Sequence, residues 1–158
     1  MILIRLGDLD TEKAHRIMAS ATYQSRVLVI KRTKLGETDC ICTLLSQDGS
    51  QIRAVAKGAR KPTSPFTSRL ELFSVCDVLF AKGKSLDIIK EARLIEGYPH
   101  LRENLEKTEA ASPIAELLEK GTVDSLENAQ LFALSTKALS FLDRQTFPDS
   151  LLLMITSA

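Results

Sequence analysis

The chain has 158 residues, 44% hydrophobic and 26% charged, which fits one domain or a small domain with an appendage and excludes wholesale disorder. Three cysteines cannot close a disulfide framework, and the N-terminus has three acids by position 12 where a secretory signal would be apolar. No apolar run reaches the roughly 18 residues of a membrane span, so a cytoplasmic protein with no membrane partner is expected. The net charge of +1 hides an asymmetry: residues 1–22 are neutral, 23–97 carry thirteen basic against eight acidic side chains, and 98–158 carry five against nine. A basic half followed by an acidic half implies two kinds of partner.

Residues 1–22 lack strand alternation and read as a loose arm or surface helix, with Met18 offering a second start just before the first strand. Strands are predicted at 23–33 (YQSRVLVIKRT), at 38–46 (TDCICTLLS) before an Asp48-Gly49 turn, and at 51–57, where Ile52, Ala54 and Ala56 alternate with Arg53, Val55 and Lys57. A longer strand follows at 70–80 (LELFSVCDVLF), then a Lys82-Gly83-Lys84 hairpin turn and a fifth strand at 85–95. Five short strands with almost no helix between them favour a small antiparallel barrel over an α/β sheet.

After Gly97 the apolar period lengthens to that of helices. Leu101, Leu105 and Thr108 are expected on one face. Ser112-Pro113 should start or kink a second helix that Gly121 ends, and Ser125 should cap a third whose apolar face is Leu131, Leu134, Ala138 and Leu142. Pro148 opens a last segment, apolar on all sides, which needs burial on every face and suggests a chain cut short relative to its relatives. These elements divide into an extension (1–22), a barrel (23–97) and an incomplete helical domain (98–158).

The sharpest chemical feature is the stretch 49–70, which holds Arg53, Lys57, Arg60, Lys61 and Arg69 and no acidic residue. Gly58, Pro62 and Pro65 make it irregular, and Phe66 stands at its centre. Clustered Lys and Arg bind backbone phosphates, so nucleic acid is favoured over a merely solvated loop. Gly83-Lys84-Ser85 resembles the end of a phosphate-binding loop, but position 78 is Val78 where that motif needs glycine. Cys40 and Cys42 alternate on one strand and read as core residues. With Cys76, His15 and His100 at no recognisable ligand spacing, no metal site is expected. No nucleophile pattern or close carboxylate pair points to catalysis, so neither a catalytic residue nor a cofactor is assigned and an enzyme is not expected.

The run QIRAVAKGARKPTSPFTSRLELFSVCDVLF, with VLVIKRTKLGETDCICTLLSQDG before it and EARLIEGYPHLRENLEK after it, strongly resembles the bacterial recombination mediator family RecO. The match extends from about residue 23 to the C-terminus, and AVAKGARKP followed by RLELF is its most specific part. The resemblance implies an α+β fold: a five-stranded OB-fold barrel followed by a helical domain. It implies binding of single- and double-stranded DNA, strand annealing, help in loading recombinase onto DNA coated with single-strand-binding protein, a RecR-like partner, and no nucleotide cofactor. It also adds Arg32 and Lys34, between strands one and two, to the DNA surface around Lys57, Arg60 and Lys61. The four-cysteine zinc module of many members has no counterpart here. From the residues alone two other readings stay open: a protein-interaction module docking through its acidic helices, and an RNA-binding barrel.

Overall fold

The structure, a computed structural model, describes residues 21–122 and 128–145. The expectations for the N-terminal arm, for a Ser125 cap and for the segment after Pro148 fall outside these residues.

Apolar and β-branched residues at period two build five strands: β1 (Thr22–Leu35), β2 (Asp39–Ser46), β3 (Gln51–Ala56), β4 (Val75–Ala81) and β5 (Asp87–Glu96). They close into a barrel in the order β1-β2-β3-β5-β4, the OB-fold expected. Four pairings are antiparallel; the fifth, β3 with β5, is a short parallel contact through Ala54–Asp87 and Val55–Ile88. Strand β1 serves both halves of the barrel. Its first half pairs with β4 and its second with β2, and a register shift between Val29 and Lys31 bends it between the two.

Inside the barrel Val27, Val29, Leu44, Val78 and Phe80 pack with the three thiols, all buried. Cys40 and Cys42 are therefore core residues, as their spacing predicts. Ala54 and Ala56 face inward at 0% exposure while Arg53 and Lys57 face out.

The predicted strand over 70–80 is half strand. Pairing begins only at Val75, and Phe73 adopts a left-handed φ of 68°, donating its N–H to the Val29 carbonyl at 2.8 Å. Leu70 belongs to the barrel interior and Phe73 to a second core outside it. The alternation of LELF thus reflects a turn that feeds two cores.

That second core joins the helices to the barrel. Leu28 and Ile30, on the outer side of β1, pack with Leu45 and Val75 against Leu101, Leu118, Phe132 and Leu139. The helices are α1 (Pro99–Glu103), α2 (Leu105–Gly121) and α3 (Ala129–Arg144), and none among the described residues is long and apolar enough to cross a membrane. Lys31 pairs with Glu119 at 2.8 Å, Arg102 with Glu71 at 2.6 Å, and the Gln51 amide donates to the Glu119 and Thr122 carbonyls. The β2–β3 turn also fits closely: Gly49 has φ 89°, and a Cβ there would lie 1.9 Å from the Asn128 carbonyl oxygen. Only glycine allows both that conformation and that approach.

Three helical expectations need correction. Leu105 does not share the face of Leu101. Asn104 ends α1 and caps α2, accepting from the Glu106 and Lys107 N–H groups at 3.0 and 3.2 Å, and the resulting turn leaves Leu105 72% exposed. Ser112-Pro113 starts no new helix. Pro113 lies on the exposed side of the continuous 17-residue α2, where water can reach the Glu109 carbonyl it leaves unpaired, and Gly121 ends α2 as expected. In α3 the buried face is Phe132, Ser135, Leu139 and Asp143, while Leu134 is 62% exposed. A polar contact turns this helix: Asp143 is drawn into the core to accept the Leu101 N–H at 2.8 Å.

Candidate nucleic-acid interface

The basic stretch begins where β3 ends, and hydrogen bonds fold it onto the β1–β2 turn. Gly58, at φ 66°, donates its N–H to the Asp39 carboxylate at 2.7 Å. The Arg60 N–H reaches the Thr38 carbonyl at 2.9 Å, and the Arg60 guanidinium donates to the Gly36 carbonyl at 2.8 Å. Tight turns continue from Lys61 to Ser64 and Thr67, whose hydroxyl bonds the Ala59 and Lys61 carbonyls at 3.2 and 3.1 Å. The Gly58 N–H, with Thr38, Lys57 and Lys61 adding to it, holds the Asp39 carboxyl below the usual carboxylate range.

Lys57, Arg60 and Lys61 are all exposed, and Lys57 and Lys61 are near enough to Asp39 to act on its charge. Exposed Lys34 stands opposite Cys40 on the same β1–β2 hairpin. Two carboxylates, Asp39 and the exposed Glu37 of the same turn, stand against four cations, which leaves the cluster positive.

The other three candidates lie apart. Arg32 sits opposite Cys42 and turns to the barrel mouth, half-buried, its Nε buried without a partner among the described residues. There Cys42 and the guanidinium draw the Cys40 thiol down, while its bond to Cys40 and burial push Cys42 up. Arg53 faces outward from β3 into a groove of about 520 Å³ that it shares with Lys82 and Lys84 of the β4–β5 turn. Arg69 donates to the Ala92 carbonyl at 3.2 Å and borders a wider groove over β1, β4 and β5. Phe66, expected at the centre of an open loop, is half-buried against the barrel core, where it anchors the turns. The two residues the sequence reading missed are Asp39 and Gly36, which give the basic turns their footing across the barrel end.

The wider groove carries an ion-pair network. Arg26 grips Asp77 through two bonds of 2.7 and 3.1 Å, and Arg93 adds a third at 2.9 Å. The Arg26 bond leads in holding the Asp77 carboxyl down, to about 2, with Arg93 adding to it. An unfolded Asp titrates near 3.9, so this stabilisation is present above about pH 4 and is lost as pH falls toward 2. Its size is reduced by solvent, since Asp77 is 32% exposed. The Tm difference between the parent and Asp77→Asn should therefore be largest at pH 5 and shrink toward pH 2. A difference constant over that range contradicts the assignment.

Among the described residues no three His, Cys, Asp or Glu side chains stand together as metal ligands.

Comparison with known proteins agrees with this architecture. The family model "Recombination protein O N terminal" matches residues 18–98. The chain is 38% identical over 117 residues to the DNA repair protein RecO of Desulfitobacterium hafniense, covering 74% of this chain and 43% of that protein. It is 38% identical to the RecO proteins of Synechococcus elongatus over 127 residues (80% and 48%) and Bifidobacterium longum over 128 residues (78% and 53%). The chain spans about half the length of the curated relatives it matches. By fold and by sequence, the chain belongs to the RecO family.

Proposed function

We propose that this chain binds nucleic-acid backbones in DNA repair and recombination, as a non-catalytic mediator. The single observation that carries the reading is the cationic cluster of Lys34, Lys57, Arg60 and Lys61, fixed by hydrogen bonds at one end of an OB barrel. Exposed ammonium and guanidinium groups neutralise phosphates and release counterions, and phosphate contacts carry no sequence information. Barrel residues 23–97 act as the binding unit; α1 to α3 brace β1 from outside, and the segment 98–158, acidic in sequence, is the part that meets proteins. In this reading the ligands are single- and double-stranded DNA, strand annealing follows from holding a strand, and a RecR-like protein and single-strand-binding protein are partners in recombinase loading. The names of the relatives, each a DNA repair protein RecO, support it.

A titration of labelled single-stranded DNA, single-stranded RNA and duplex DNA at two salt concentrations tests it. Both DNA forms should bind, each more weakly at the higher salt. Binding of RNA alone would favour the RNA-binding barrel, and binding of no nucleic acid would favour the protein-interaction module.

A further inference from the structure

Exposed cations stand at both ends of one outer strand face. Past the end of β3 lie Lys57, Arg60 and Lys61. Near its start Arg53 shares a groove with Lys82 and Lys84, all three exposed. Two carboxylates line the same groove and keep their negative charge, so the three cations exceed them by one. Asp48 accepts from the Ser46 and Ser50 hydroxyls and the Ser50 N–H, and Asp87 accepts from the Tyr23 hydroxyl and, at 3.1 Å, from the Gly83 N–H. Those bonds to Asp87 brace the β4–β5 turn, while Lys82 lies 4.9 Å over the Tyr23 ring. From Arg53 to Lys57 is four residues, about 13 Å along a strand.

The surface between the two ends is aliphatic. On the outer face Val55 pairs with Ile41 and Ile41 with Thr33, with Leu35 beside them, 39% exposed. Among the described residues, the aromatic rings that could stack bases, as they do in single-strand-binding barrels, are already engaged. Tyr23 lines the groove of Arg53, but its ring stacks on Phe80 with centroids 4.9 Å apart and carries the Lys82 ammonium 4.9 Å over it; Phe66 packs against the barrel core, and Phe73, Tyr98 and Phe132 are buried in the second core. Phe141 is exposed, but on α3 in the helical segment.

We infer that the outer face of β3 is a track for the sugar–phosphate backbone alone, held at one end by Lys57, Arg60 and Lys61 and at the other by Arg53, Lys82 and Lys84, with the bases left unstacked. The inference rests on the nucleic-acid reading and deepens it by naming the part of the ligand that is recognised. A strand held in this way keeps its base-pairing edges in solvent, which suits pairing with a second strand.

The experiment compares a labelled oligothymidylate with an abasic tetrahydrofuran phosphodiester of the same length, using the full chain. One base stacked on a side chain is a factor of about 5 to 150 in affinity. The abasic polymer should bind within about threefold of the normal strand, and thymines in the complex should stay as reactive to permanganate as in free DNA. The variant Arg53→Ala/Lys82→Ala/Lys84→Ala should lower the slope of log affinity against log salt by about 2, at roughly 0.7 per phosphate contact, with an unchanged thermal midpoint. Loss of abasic binding by more than tenfold, protection of the thymines, or an unchanged slope in that variant overturns the inference while leaving nucleic-acid binding standing. No binding of the normal strand would overturn the underlying reading itself.

Discussion

Phe80→Ala should lower stability by about 3–5 kcal/mol, the cost of emptying a large, well-packed core site. Phe80 is fully buried at the centre of the barrel interior, and its ring is the partner on which Tyr23 stacks at an interplanar angle of 18°. At roughly 2–4 °C per kcal/mol for a chain of this size, the midpoint should fall by about 6–20 °C. The consequence reaches the surface, because Tyr23 loses its support while holding Asp87, which in turn bonds the Gly83 N–H of the β4–β5 turn. Phe80→Leu, which keeps most of the volume, should lose much less. Thermal melts of the three proteins check this, and equal midpoints for parent and Phe80→Ala would mean that the barrel is packed differently.

The second large effect is on binding. Replacing Lys57, Arg60 and Lys61 together by alanine should weaken single-stranded DNA binding severely while leaving the fold in place. All three side chains are exposed, and such substitutions each change stability by within about 0.5 kcal/mol. The variant loses the Arg60 guanidinium bond to the Gly36 carbonyl but keeps the backbone bonds of the turns and those made by Asp39 and Thr67. Three lost phosphate contacts remove a counterion-release advantage of about 100-fold at 0.1 M salt relative to 1 M. Affinity measured at low salt should fall by about that factor, equally for any sequence, with an unchanged circular-dichroism spectrum.

Much of the barrel was legible because its strands obey a local rule. Ile52, Ala54 and Ala56 alternate with Arg53, Val55 and Lys57, and period two alone assigns each to its face. The rule fails where one segment serves two cores, as at Leu70 and Phe73, since apolar spacing does not say which core a side chain enters. It fails again in α3, where the leucines mark one face but the buried bond from the Leu101 N–H to Asp143, 42 residues apart, selects another. The candidate site divides in the same way. Lys57, Arg60 and Lys61 were readable as a cluster because they are neighbours in the chain. The distance of Arg53 and Arg69 from them follows from the curvature of the barrel, and the footing that Asp39 gives Gly58 crosses 19 residues that no local pattern connects. The register shift in β1 sets Arg32 and Lys34 opposite Cys42 and Cys40, so period two counted from Val27 and Val29 does not give their side.

That the exposed cations of the turns after β3 hold nucleic acid by its phosphates is our proposal. Its most direct test is the slope of log affinity against log salt concentration for a labelled oligothymidylate, compared between the parent and the Lys57/Arg60/Lys61→Ala variant. A steep negative slope is expected for the parent and one shallower by about 2 for the variant, from three single-strand contacts at roughly 0.7 each. Equal slopes and equal affinities in the two proteins would contradict it.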